Sequence, residues 1–373
     1  MRICYYTDSI SEHQIPLVLE LIKHYGEENF RYFYKNDRAA HRKAMMGADA
    51  EVRAWTLKIS DNREVFEDWV ENADVLYTIF RVPDLLERRI NRRLRTFYMS
   101  ERWLKPPTGW LRLLHPGYFR LAKRMIRCFE SGLVTYLPTG IVAATDMLRI
   151  KELVTGHPIR AFLMMRPEFE RHVSARVVGC DWIRLWGYFV KPGAAPSKRR
   201  TCHTPLRVLW VGRYLALKRV DTIIRAVLYS NGVELDLYGS GDKEEEMKRL
   251  ARGCERIRFH PSVPLEHVRT LMRTHDVYVM SSNGFDGWGA VVSEALEEGM
   301  MVLGTDVVGA PATTLPSSNQ FRVGDWRALA TLLKKIADGE GDSTAPQFVK
   351  ASGWRVSDAF NALIEMIQEP LTE

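Results

Sequence analysis

No run in this 373-residue sequence approaches the roughly 18 to 20 uncharged apolar residues that a membrane-spanning helix needs. A secretory leader is not legible either: Met1-Arg2 leads straight into Ile3-Cys4-Tyr5-Tyr6, with Asp8 and Glu12 close behind. Cysteine is scarce. The five present (Cys4, Cys128, Cys180, Cys202, Cys254) are scattered, with no C-x-x-C pair and no metal-ligand spacing. Short-period repeats and low-complexity tracts are missing as well. These absences argue against a disulfide scaffold, a membrane-spanning chain and a structural metal. The expectation is a cytoplasmic protein in a reducing compartment.

What is present is ordinary in amount and uneven in placement. The content of 46% hydrophobic and 27% charged residues suits a globular protein. The length fits two domains of roughly 150 to 200 residues each. The formal charge of +7 divides into +11 over residues 1–200 and −4 over the remainder, so the first half is expected to meet something anionic.

The second half alternates short β-rich runs with amphipathic stretches. Strands are expected at Leu206–Gly212, Val233–Gly239, Ile257–Pro261, Val277–Ser281 and Met301–Thr305. Helices are expected at Val220–Tyr229, Lys243–Cys254, Leu265–Thr274 and Gly289–Glu298. Strands nearly continuous in Val, Leu, Ile and Tyr have both faces covered, which implies a doubly wound, Rossmann-like α/β domain. The first half repeats the theme less clearly. Its strands are Arg2–Thr7, Phe30–Tyr34, Val75–Phe80, Thr96–Met99 and Val134–Leu137, and its helices Ile15–Tyr25, Val65–Asn72, Pro83–Ile90 and Tyr118–Phe129. Residues 191–205, rich in Pro, Gly, Ser and cations, read as a linker between domains at 1–190 and 206–350, with a closing helix in 351–373.

Four loops of the second half carry candidate chemistry. Gly212-Arg213 ends a strand and Lys218 follows five residues later, so two cations leave a strand's carboxyl end, where open α/β sheets bind ligands. Arg offers a planar fork and Lys a point charge, a pair suited to a diphosphate; a solvated basic loop is the plain alternative. Gly239-Ser240-Gly241 ends the next strand, where small residues allow close backbone approach, or simply a tight turn. Pro261-Ser262-Val263 could offer backbone groups to a base. The fourth loop is Asp286-Gly287-Trp288-Gly289, with Glu294 eight residues beyond Asp286. A glycine-rich helix start presents amides to an anion, and a carboxylate on either side could grip hydroxyls. The alternative is a capping aspartate and an ordinary helix-surface glutamate.

Taken together, Val211-Gly212-Arg213 with Lys218, Gly239-Ser240-Gly241, and an acidic residue with seven positions between it and Glu294 resemble the donor domain of retaining GT-B glycosyltransferases, family 4 in particular. The likeness runs from about Leu206 to Asp325, with an aromatic-led helix from Trp354. It implies two Rossmann-like domains facing across a cleft and a nucleotide-diphosphate sugar as donor, UDP-sugar favoured. Arg213 and Lys218 would hold the diphosphate, Glu294 the ribose, and Asp286 would lie by the transferred sugar. Asp286 stands where the family commonly has glutamate, Gly287-Trp288-Gly289 where G-F-G is commoner, and Gly309-Ala310 where two glycines are usual. The resemblance further implies a hexosyl transfer with retention and no cofactor. A transferase of the GT-A type would need a D-x-D metal clamp, and the sequence contains none.

In the first half, the segments at Ser11–Pro16, Ser100–Arg102 and Trp186–Phe189 resemble segments of polysaccharide-assembling members, which makes His13, Glu101 and Arg102 acceptor-side candidates, Glu101 a catalytic one. The segment Arg88–Arg127 interleaves basic residues with Trp103, Trp110, Tyr118 and Phe119. That pattern suits an anionic membrane surface, so a peripheral position at the inner face of the cytoplasmic membrane is expected. No nucleic-acid motif accompanies it. Saccharides or lipid-linked saccharides are the expected acceptors. A nucleotide-sugar epimerase of the same fold, or a non-catalytic binding module, remain as alternatives.

Overall fold

The computed structural model describes residues 1–11, 13–37, 53–164, 180–191, 202–339 and 354–370. Contacts divide the chain into two compact units, Met1–Phe189 with Val356–Glu373, and Val190–Arg355. Most of the expected linker, residues 192–201, lies outside the described residues, as do Glu12 and residues 340–353.

Each unit holds one six-stranded sheet. In the first, β1 (Ile3–Thr7), β2 (Phe30–Tyr34), β3 (Thr56–Lys58), β4 (Val75–Thr78), β5 (Arg95–Ser100) and β6 (Val134–Pro138) lie in the order β3-β2-β1-β4-β5-β6. In the second, β7 (Leu206–Arg213), β8 (Val233–Ser240), β9 (Ile257–His260), β10 (Val277–Met280), β11 (Met301–Thr305) and β12 (Gln320–Phe321) lie in the order β12-β11-β10-β7-β8-β9. All pairings are parallel. Counted from its own first strand, each sheet has its reversal between strands 1 and 4. That fixes where a ligand can sit: at the carboxyl ends of β1 and β4 in one unit, and of β7 and β10 in the other.

The strands form because their residues bury on both faces; Val208, Leu209 and Trp210 on β7 are all essentially inaccessible. Trp210 alone contributes on the order of 2–3 kcal/mol by leaving water. The first unit's core is ring-rich: Phe129 stacks on Tyr136 at 5.3 Å and on Trp182 at 5.2 Å. Helix Val356–Gln368 belongs to this unit and packs on Ile15–Tyr25, with Phe360 edge-on to His24 at 5.6 Å.

Among the described strands and α-helices of the first unit, three fall outside the sequence expectation, one of them the short helix Pro158–Leu163. Helix Ile141–Val154 buries Thr145, Asp146 and Glu152 alongside its apolar residues, so no polar face marks it in the sequence. Strand β3 is three residues long, too short for an alternating pattern to register. The basic segment also differs from expectation. Arg89 is fully buried, donating to Val70 O, Ala73 O, Arg95 O and Thr96 Oγ1, and ties a helix end to the sheet; burial pushes its guanidinium down to about 10. Trp103, expected at a membrane surface, is a core residue with no exposure. Arg88 pairs with Glu71, and Arg124 with both Asp84 and Glu87. Among the described residues no helix is long and apolar enough to cross a membrane.

Candidate functional site

In the second unit, the loops after β7 and β10 meet at the reversal point. After β7 the chain makes a short turn at Ala216–Lys218 and passes through Arg219, a left-handed residue with φ +47°, into helix Val220–Tyr229. Asn283 N donates to Leu217 O at 2.8 Å and Ser281 Oγ to Lys218 O at 2.7 Å, which locks the two loops together. Lys218 Nζ then reaches Asp286 Oδ2 at 2.5 Å, with both side chains less than a quarter exposed. Lys218 is therefore a paired, half-sheltered cation rather than a free loop charge. Arg213 is exposed, and its guanidinium has no hydrogen bond or ion pair among the described residues.

Backbone geometry explains the glycines. Gly239 has φ +155°, and a Cβ there would sit 1.8 Å from Gly212 O, so β7 and β8 approach too closely at their ends for any side chain. Gly289, at φ +81°, is the N-cap of helix Ala290–Glu297. The helix therefore starts four residues after Asp286, so Asp286 lies on the loop and Glu294 on the helix. Both acids still lie near the buried Tyr278, whose phenol is raised by burial first and by the charges of Asp286 and Glu294 after it. The amides of Gly287, Trp288 and Gly289 donate to no acceptor among the described residues and remain at a helix start, where negative charge is favoured. Their carbonyl sides are fixed: Gly309 N donates to Gly287 O and Ala310 N to Trp288 O. The Trp288 ring is core, packed against a tilted Trp354 ring at 4.6 Å with Nε1 donating to Ser293 Oγ, so only its backbone is left for a ligand.

Glu294 is 8% exposed, and its Oε2 has no hydrogen-bond partner among the described residues. Burial pushes its carboxyl up to about 7; the nearby Arg269 guanidinium lowers it and Glu298 adds to the rise. A buried carboxylate oxygen without a partner costs on the order of 1–3 kcal/mol, which a ligand hydroxyl would recover. Ser262 shares a hydrogen bond with Ser240 at 3.1 Å, joining the ends of β8 and β9, and Val263 is partly exposed beside it.

In the first unit, the reversal point opens into a hollow of about 620 Å³, lined by residues following β1, β4, β5 and β6. Glu101 and Arg102 line it, and Tyr188 joins them. His13 stacks on the Tyr188 ring at 5.2 Å. Glu101 is ion-paired with Lys105. Arg102 grips buried Asp146 with two bonds, at 3.1 and 3.2 Å, and Leu104 N donates to the same carboxylate, so much of Arg102's role is to shape the loop after β5. The sequence reading missed Arg81 and Arg112, which also line the hollow. Arg81 follows β4 at its carboxyl end and was open to the same strand-end argument as Arg213; Arg112 was hidden within a long basic run.

Residues 205–338 match the family model described as Glycosyl transferases group 1. No curated protein matches the chain in sequence. Among solved structures, HepE of Anabaena in complex with UDP is similar at 13% identity and a TM-score of 0.66, over 99% of this chain and 100% of that one. The lipopolysaccharide outer core galactosyltransferase WaaB in its apo form is similar at 15% identity and 0.57, over 98% and 99%. A pneumococcal O-GlcNAc transferase, GtfA, solved with UDP and GlcNAc, gives 12% and 0.52, over 83% of this chain and 60% of that one. The chain thus has the two-domain GT-B fold of these structures, and its residues 205–338 are similar to the group 1 glycosyl transferases.

Proposed function

We propose that the protein transfers a hexose from a nucleotide-diphosphate sugar, UDP-sugar favoured, to a saccharide or lipid-linked saccharide, with retention and without a metal. The observation that carries this reading is the meeting of the Lys218–Asp286 pair with an unpartnered Glu294 oxygen at the reversal point of the second sheet. HepE has been solved with UDP-glucose, which supports UDP as the nucleotide.

The residues divide the work by chemistry. Arg213 and the amides of Gly287 to Gly289 receive the diphosphate, and Lys218 shares its charge between Asp286 and the leaving group. One such preorganised donor supplies roughly 2.7–4 kcal/mol of transition-state stabilisation. Glu294 accepts from ribose hydroxyls, and Asp286 lies by the transferred sugar. Attack from the same face as the leaving group lets the departing diphosphate take the acceptor proton, so retention needs no strong protein base. Exposed Trp110, Leu111 and Leu114, close in sequence to exposed Arg120, Lys123 and Arg127, support a peripheral hold on anionic lipid at the cytoplasmic face.

Labelled UDP-glucose and UDP-galactose, incubated with the protein in chelator, with and without membrane lipid extract, test the reading. Label moving to a lipid or saccharide is the expected result. Conversion to a free epimeric sugar nucleotide, or no turnover alongside tight UDP binding, would replace it with the epimerase or binding-module reading.

A further inference from the structure

The hollow in the first unit has a charge pattern that the assignments above leave unused. Of its lining cations, Lys105 is neutralised by Glu101 and Arg102 by Asp146. Arg81 and Arg112 have no carboxylate partner among the described residues. Both converge on the same two aromatic residues. Arg81 lies 4.0 Å above the buried Trp103 ring and donates towards Tyr118 Oη at 3.5 Å. Arg112 donates to Trp103 O at 3.5 Å and to Thr108 Oγ1 at 2.7 Å, while Tyr118 Oη donates to that same Trp103 carbonyl. Each guanidinium acts on the Tyr118 phenol, lowering it against the larger rise from burial.

Two cations held around one phenol, both partly sheltered, repel each other at an effective dielectric well below that of water. The remaining acid of the lining, Asp8, is engaged by the Asn36 amide at 2.9 Å. An arrangement of this kind is relieved by an anion, and two planar forks match the several oxygens of a phosphate better than the two of a single carboxylate.

We propose that this hollow is a phosphate site, gripped by Arg81 and Arg112, and that the acceptor is therefore a phosphorylated molecule. The second half of the statement rests on the transferase reading above, with the first unit as the acceptor side; the first half does not. Ser9 and Ser11, which also line the hollow, supply hydroxyls for the rest of the molecule.

Calorimetry on the full chain tests it with glucose 6-phosphate and farnesyl phosphate as probes, and glucose and glucuronate as controls. Saturable binding of a phosphate probe is expected, at least about tenfold tighter than either control, and weakened at least about tenfold by Arg112→Gln and by Arg81→Gln. The stronger of the two probes separates a soluble phosphosugar from a lipid headgroup. UDP binding, measured in parallel, should be unchanged in both variants. Because Arg81 packs on a core ring, loss of UDP binding in Arg81→Gln would mark a folding defect, and Arg112→Gln, on a partly exposed turn, then decides. Phosphate probes bound no better than the controls, or bound equally by wild type and Arg112→Gln, overturn the site. If the phosphate site holds while wild type neither binds UDP nor turns over UDP-sugar, the transferase reading fails alone.

Discussion

The two units order their strands identically but fill the reversal point with different chemistry. In the second, glycines bring backbone close, amides are left without acceptors, and the charges are few: Arg213, the Lys218–Asp286 pair and Glu294. In the first, the same position is a hollow of about 620 Å³ lined by larger side chains, with cations in excess. Backbone cradles suit a constant ligand part such as a diphosphate, since nearly every residue has an N–H to offer. A side-chain-lined hollow suits a part that varies between relatives. The family model matches residues 205–338 and none of the first unit's sheet.

The most damaging test of this contrast is the pair Arg213→Ala and Lys218→Ala. Each should lower sugar transfer at least about a hundredfold, as removal of a charge-stabilising group does. Lys218→Ala should also destabilise the fold by about 1–2 kcal/mol, because it strands a sheltered Asp286, whereas exposed Arg213→Ala should not. Steady-state transfer assays and denaturant melts read the two effects separately. Full turnover in the double variant would remove the donor assignment from the second unit.

The next largest effect comes from Glu294. Below about pH 4.5 both the folded and unfolded chains hold its proton; from there to about 7 only the folded chain does. Apo stability should therefore fall as pH rises through that window, by roughly 3 kcal/mol at most, and Glu294→Gln should abolish that portion of the slope while weakening UDP binding. Melts from pH 4 to 8 check it, and an unchanged slope in the variant would mean that the carboxyl is better solvated than its burial implies.

Gly239→Ala follows, with an expected loss of more than about 2 kcal/mol from the clash with Gly212 O. Ser9→Ala, after the end of β1 in the first unit, should stay within about 0.5 kcal/mol. Similar losses at both positions would erase the difference between a backbone-built and a side-chain-built site.

The smallest effect is at the surface. Replacing exposed Arg120, Lys123 and Arg127 with Gln should weaken co-sedimentation with anionic vesicles about tenfold at low salt and leave UDP binding intact. Arg124 is left in place because Asp84 and Glu87 already neutralise it. Unaltered sedimentation would make this helix face a merely solvated one.

How much of this was legible beforehand also differs between the units. The alternation of strand and helix from Leu206 to Thr305 identified every strand and α-helix of that stretch, because a two-sided parallel sheet leaves unbroken apolar runs; beyond it, helices Gly309–Thr314 and Trp326–Ala337 and the two-residue β12 escaped. The loops proposed for the donor stood out in the sequence because glycine and charge seldom meet at a strand's end for packing alone. What could not be read was pairing: nothing in the spacing joins Lys218 to Asp286, 68 positions apart. In the first unit, charge misled. Arg89 looks like surface and is core, and Asp146, on a helix that the sequence does not mark, is the anchor of Arg102. Solvated and buried arginines are written with the same letter, and only tertiary contacts tell them apart.

If Glu294 holds the ribose as proposed, it couples nucleotide capture to the proton balance of the surrounding solution. A carboxyl held near neutrality is partly protonated when the pocket is empty, and hydrogen bonds donated by ribose hydroxyls favour its ionised form. Capture near pH 7 should then expel a fraction of a proton into the buffer. The heat of UDP binding would differ between phosphate and Tris at the same pH, in proportion to their ionisation enthalpies, and the difference would vanish in Glu294→Gln.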